Sequence, residues 1–495
     1  MTSNNICVKL RNLIAHSAFR IVAALLFAAA LQARATEYWV ATDGADTNPG
    51  TSDAPFATLE YALSQKAQNG DTVKIKAGTY LVPQQADYTT AAYNLTNAVT
   101  VIGIEGPEKT IIASTNTYYH RGFLVNNANA VLSGLTVTKV RAGDGTHGPA
   151  NRGKLTYCGE IHIEAGLVTN CVVHGTQSSL HPAGISASGG TVVDCVVSNM
   201  TYTSTIENMT GILVTGAATV KRCRIADYTA NLTSTCCLYV KGQNAIVEDC
   251  VLNRCKTRRG TNAADYLVYI TGKNAVVRNC EIVGCSADHV GVVGLTGAGA
   301  QLLNCVITNN TASTCAVYVG NATATMRNCL VAGNSSSGKN SRNNSTDSYG
   351  GIYLGSGTVE NITVARNRNN KSGTTCGGIT LAASTNVVLR NTISWGNMLS
   401  NGGTSAAANF KDAGAVEGAA AQGMVETCLY DQDPLFKDTA TGDYTLASRS
   451  PARDAGTNQD WMNGATDLAG NRRKKGCVDI GCYEFQSASF CIIVR

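Results

Sequence analysis

Tyr239, Tyr269 and Tyr318 each stand eleven residues before a cysteine (Cys250, Cys280 and Cys329), and Gly294 holds that place before Cys305. Tyr353, in GGIYL, falls nine residues before Ile362 in a matching phrase. Phenol rings recurring at one point of a repeat can stack on sugar rings and hydrogen-bond them. The competing reading is a cross-strand aromatic ladder that only stabilises a sheet. Charged residues cluster beside this row: Lys256, Arg258, Arg259 and Asp265 precede Tyr269, and Asp288 and His289 precede Gly294. His162 and Glu164 lie farther back, beyond RAGDGTHGPANRGK (141–154). A β-elimination on an acidic sugar needs carboxylates to hold a Ca²⁺ that neutralises the uronate, and a Lys or Arg base for the C5 proton. Arg258 or Lys256 as base, with Asp265 and Asp288 as calcium ligands, is the constellation that fits this chemistry. The bland alternative is solvated loop charge. Scattered histidines and the lack of a CxxC pair argue against a zinc site.

These side chains need a scaffold that repeats. A short phrase recurs as TNCVV at Cys171, VDCVV at Cys195, KRCRI at Cys223, EDCVL at Cys250, RNCEI at Cys280, LNCVI at Cys305 and RNCLV at Cys329. Leu135, Ile362 and Thr392 fill the same slot, and intervals between slots run from 24 to 36 residues. Self-similarity of this kind marks a solenoid whose coils carry loops of variable length. Within one interval, YLVYI-TGKN-AVVRN-CEIVG (266–284) shows three pieces with the period-two alternation of half-buried strands. Asn or Asp usually precedes the slot, which suits a one-residue left-handed bend and lets stacked side chains bond coil to coil. No helical period separates the strands. The slot cysteines should point inward as small free hydrophobes, with Cys255–Cys285 and then Cys477–Cys482 as the disulfide candidates.

Residues 1–35 read as an export signal, with basic Lys9, Arg11 and Arg20, an eleven-residue apolar run Ile21–Leu31, and a small-x-small site ending at Ala35. That run is short of the ~20 residues a membrane span takes, and no later segment reaches that length. Removing the signal leaves 35 basic and 34 acidic side chains, a balance that gives no reason to expect nucleic acid. The run RRKK (472–475) reads as a solvated loop.

With the slots, bends and inward alternation in place, the chain resembles the pectate-lyase-like right-handed parallel β-helix superfamily. Residues 38–81 are similar to the N-terminal segment of many secreted bacterial β-helix proteins. Residues 433–457 with 467–485 are similar to the C-terminal segment of those with a choice-of-anchor ending. The resemblance implies an all-β fold: a right-handed single-stranded parallel β-helix of about ten coils, capped at both ends. Its divisions would be a signal (1–35), an N-terminal cap and first coil (36–95), helix repeats (96–425) and a C-terminal cap (426–495). A short helix over Pro55–Ala67 would cover one end, and Phe436, Leu446 and Trp461 would help close the other. In that superfamily ligands lie along the outer face of each coil's first strand, where the tyrosine row falls. Substrate contacts would therefore come from Tyr239, Tyr269, Tyr318, Tyr353 and His289, with Arg258, Asp265 and Asp288 catalytic. The paired aspartates and GHG turn of polygalacturonases, the RxPxxR phrase of one pectate lyase group and the DPHE phrase of alginate epimerases are missing. The expectation is a secreted or cell-surface monomer that engages an extended acidic polysaccharide, with lyase activity and Ca²⁺ in view. The alternative is a non-catalytic, adhesin-like solenoid.

Overall fold

The computed structural model describes residues 35–486 apart from 83–90, 115–120, 139–158, 176, 179–182, 203–208, 231–234, 258–265, 289, 339–347, 374–375, 383, 385 and 413–424. Residues 1–34 of the expected signal and the loop 141–154 therefore lie outside the described residues.

One coil shows how the sequence makes the fold. Val268–Ile270, Val276–Arg278, Glu281–Val283 and Ser286–Ala287 are successive strands, and each turns alternate residues inward. Chain direction changes at single residues in the left-handed region: Asn274 (φ 55°), Asn279 (φ 54°) and Gly284 (φ 62°). The bend before the cysteine slot repeats this conformation at Asn170, Asp194, Arg222, Asp249, Asn304, Asn328, Asn361 and Asn391, as the Asn and Asp preference there predicts. The fourth strand was not legible in the sequence, because two residues are too few to show a period.

Coil upon coil, these strands build one 22-stranded sheet holding the first two strands of each coil, a 12-stranded sheet of third strands and an 8-stranded sheet of fourth strands. Every named pairing is parallel except the hairpin of Phe436–Asp438 with Asp443–Leu446. The parallel β-solenoid expected from the repeat is thus the fold.

Inside, Cys171, Cys195, Cys223, Cys250, Cys280, Cys305 and Cys329 are all buried among Val, Ile and Leu, as free thiols. Bonding between coils runs partly at the expected bend, where Asn279 Nδ2 donates to Asp249 and Asn304 Nδ2 to Asn279. A stronger series is buried at the next bend. Asn310 Nδ2 donates to Asn334 (2.9 Å), Asn334 to Asn367 (2.9 Å), Asn367 to Asn397 (3.1 Å) and Asn397 to Asn409 (3.3 Å). Asn310, Asn334, Asn367 and Asn397 lie in the place that Cys255 and Cys285 take in earlier coils, five residues past the slot.

Both ends differ in detail from expectation. The N-terminal helix begins at Leu59 behind a Thr58 cap rather than at Pro55, because Phe56 is held in a parallel bridge with Val40. The C-terminal segment lies along a flank as well as at the end. Its backbone carbonyls accept from the corner amides of three coils: Thr466 O from Asn328, Gly481 O from Asn361 and Thr457 O from Asn391. The RRKK run is not wholly solvated. Arg473 is fully buried, donating to the carbonyls of Asp479 (3.2 Å) and Gly481 (2.5 Å), with Glu484 Oε1 3.4 Å from its Nε.

Candidate ligand-binding face

In each first strand the residue between two inward apolar ones faces out. Strand register aligns these outward residues into a single row: Asn94, Leu124, His162, Ser186, Leu213, Tyr239, Tyr269, Gly294, Tyr318, Tyr353, Thr380 and Lys411. The four tyrosines named from sequence share the row, and all four are half-buried.

The gap at Gly294 is filled. Tyr266, three residues ahead of Tyr269, lays its ring over the glycine, so that a Cβ there would meet Tyr266 Cδ2 at 2.3 Å. The ring bridges its neighbours, with centroids 5.2 Å from Tyr269 and 5.8 Å from Tyr318, the latter at an interplanar angle of 2°. Tyr239 stacks on Tyr269 (5.4 Å), Tyr318 on Tyr353 (5.7 Å) and Tyr349 on Tyr353 (3.9 Å). The result is a continuous spine of six tyrosines. Their faces are turned to one another along the helix axis, so the central rings offer a ligand their edges and hydroxyls rather than a stacking platform. Burial pushes the phenol pKa of Tyr266 and Tyr318 up, which keeps both protonated. Tyr266 and Tyr349 went unread in the sequence. The available signal was a glycine in a tyrosine row, which implies that a neighbouring side chain occupies the space.

Residues 160–331 match the family model described as "Right handed beta helix region". The chain is a right-handed parallel β-helix. Among solved structures it is similar to pectate lyase Pel9A, at 14% identity over 91% of this chain and 96% of that one, with a TM-score of 0.35. It is also similar to the A-module of the Azotobacter vinelandii mannuronan C-5 epimerase AlgE6, at 13% identity over 71% and 91% of the two chains, TM-score 0.39. A third is an alginate lyase from Paenibacillus sp. str. FPU-7, at 14% identity over 65% of this chain and 99% of that one, TM-score 0.33. No curated protein sequence matches.

The charged candidates of this β-helix divide. Arg258, Arg259, Asp265 and His289 lie outside the described residues. Asp288 is exposed and its carboxylate accepts the Ser286 hydroxyl at 2.9 Å. Lys256 is exposed on a fourth strand. Among the described residues no three His, Cys, Asp or Glu side chains gather as a metal site. His162 lies in the outer row, buried, with its Nε2 3.4 Å from Glu164 Oε1.

On the second strands the charges neutralise one another. Lys221, Glu248 and Arg278 are register neighbours and ion-paired, as are Arg327, Glu360, Arg390 and Glu426. That flank has little net charge with which to hold an ionic ligand. A cavity of about 650 Å³ sits elsewhere, between Trp395, Arg366 and the C-terminal residues Leu435, Phe436 and Arg449.

Proposed function

We propose that this β-helix is an exported protein that binds an extended polysaccharide along the outer row of its first sheet. The observation that carries the reading is the tyrosine spine. Its rings follow one another at centroid separations of 5.2 to 5.8 Å from Tyr239 to Tyr353, about the length of one sugar residue. A polymer of regular repeat can meet such a line over several units without a deep pocket. Lys411 at the end of the row and the cationic loop that starts at Lys256 favour an acidic polymer.

If the reaction is a β-elimination, Arg258 or Lys256 would take the C5 proton. Asp265 and Asp288 are the carboxylates for a Ca²⁺. Of the two, Asp288 is among the described residues.

The test is retardation of the purified protein by pectate, alginate and glycosaminoglycans, with and without Ca²⁺. Ultraviolet absorbance of unsaturated product is followed in the same samples. Binding to one of these polymers is expected, and Tyr269→Phe, Tyr318→Phe and Tyr353→Phe should each weaken it roughly two- to tenfold by removing one hydrogen bond of ~0.5–1.5 kcal/mol. These variants keep the ring stack, so stability should change little. No retardation by any polymer, or binding indifferent to all three hydroxyls, overturns the reading. The mutual stacking of ring faces favours the second reading, a non-catalytic surface solenoid whose tyrosines serve stability alone.

A further inference from the structure

The seven slot cysteines have settled places. Each Sγ sits against the carbonyl two residues earlier, as Cys195 does at 3.3 Å from Val193 O and Cys280 at 3.2 Å from Arg278 O. Cys255 keeps this contact, with Asn253 O at 3.6 Å, but has a closer one to another sulfur. Cys237 Sγ and Cys255 Sγ are 3.0 Å apart, and both residues are fully buried. That separation is well inside the contact distance of two non-bonded sulfurs and about 1 Å beyond a bond of ~2.05 Å. Bond formation asks for small side-chain rotations and no refolding of the coil.

The two residues sit at opposite ends of the same coil. Cys237 is in the first strand, Thr235–Val240, and Cys255 follows the Arg254 corner (φ 52°) just before Lys256–Thr257. Cys285, the partner expected from sequence, stands one coil along the axis, where its thiol also meets that of Cys255 while its sulfur lies 3.5 Å from Val283 O and 3.7 Å from Leu252 O. Cys477 is exposed and Cys482 is buried, and both, like Cys237, Cys255 and Cys285, stand as free thiols in this structure.

We propose that Cys237 and Cys255 are joined by a disulfide that closes this one coil across its interior. Two thiols are oxidised to one S–S bond, and a small-molecule disulfide of the glutathione type is reduced to two thiols, taking up both electrons and both protons. Exchange requires thiolate and access, and the finished core denies both to Cys237, whose burial pushes its thiol pKa up. The bond therefore forms while the coil is closing. Its place matters to the outer row: Tyr239, the first ring of the spine, is two residues beyond Cys237 on the same strand, which the bridge ties to the far corner of its coil. The inference does not depend on what the outer row binds.

The test is to refold the full chain in an oxidised and reduced glutathione buffer, block free thiols with iodoacetamide in denaturant, digest without reduction and map the peptides by mass. The expected product is a pair of peptides joined through Cys237 and Cys255 that separates on reduction. In Cys237→Ser, Cys255 should appear alkylated. The thermal midpoint of the oxidised wild type should exceed that of the same protein after reduction, while Cys237→Ser should show no such difference. Recovery of both cysteines alkylated in the wild type, or of Cys255 joined to Cys285 or Cys236, overturns the proposal.

Discussion

Glu160 stands at the entry to a first strand, and its neighbours in register, Gly122 and Gly184, have no side chain. It is buried, and among the described residues neither carboxylate oxygen has a hydrogen-bond partner. Ionising such a group in an apolar core is costly, so burial pushes its pKa well above the usual carboxylate value. The unfolded chain ionises near 4.5. The folded chain is therefore most favoured below that pH and loses stability as pH rises from there through the folded pKa, at about 1.4 kcal/mol per pH unit. Glu160→Gln should abolish this decline, and thermal midpoints of variant and wild type between pH 4 and 8 measure it. A wild-type midpoint that does not fall relative to the variant sinks the assignment. Gly294 gives a second prediction, in the opposite steric sense. Gly294→Ala puts a methyl 2.3 Å from Tyr266 Cδ2, and the ring must leave the spine. A loss of about 1–3 kcal/mol is expected, with a change in the near-ultraviolet dichroism of stacked tyrosines.

A coil has only short strands, so its identity rests on its corners and on the side chains that tie it to the next. The bend before the slot was legible because Asn and Asp tolerate a positive φ and recur one residue ahead of each cysteine. The buried amide series was not. Asn310, Asn334 and Asn367 occupy a slot that earlier coils give to cysteine, and a polar residue in an apolar pattern reads as a turn until its partners are known. Asn334 shows what the series holds together. Its Nδ2 donates to Ile307 O (2.8 Å) and Asn367 Oδ1 (2.9 Å), and its Oδ1 accepts from the Asn310 backbone (3.0 Å) and side chain (2.9 Å). Asn334→Ala leaves several of these buried groups unpaired at about 1–3 kcal/mol each, so a loss of at least ~3 kcal/mol is expected in urea unfolding. The alternating charges on the second strands were equally hidden. Lys221 and Glu248 are 27 residues apart in sequence, yet their charged atoms lie 2.8 Å apart in space.

At the scale of the molecule, a stack of parallel strands needs its final coil covered. The C-terminal segment does this by gripping three coil corners, so its removal should cost more than local order. Deleting residues 433–495 removes the carbonyls that accept from Asn328, Asn361 and Asn391 and uncovers Ile393, which packs with Leu446 and Ile480. The truncated chain should form soluble aggregates in size-exclusion chromatography, where the whole chain elutes as one species; monodisperse elution of both would show that the segment is dispensable. The parallel solenoid, its inward cysteines and the line of Tyr239, Tyr269, Tyr318 and Tyr353 were all determined by sequence, because a period is a one-dimensional property and register follows from it. Tertiary structure alone decided that Tyr266 fills the gap at Gly294, that ring faces turn to one another, and that Cys255 comes within 3.0 Å of Cys237 in its own coil. Those outcomes depend on which side chains from different strands and corners compete for one volume, and neither spacing nor composition records that competition.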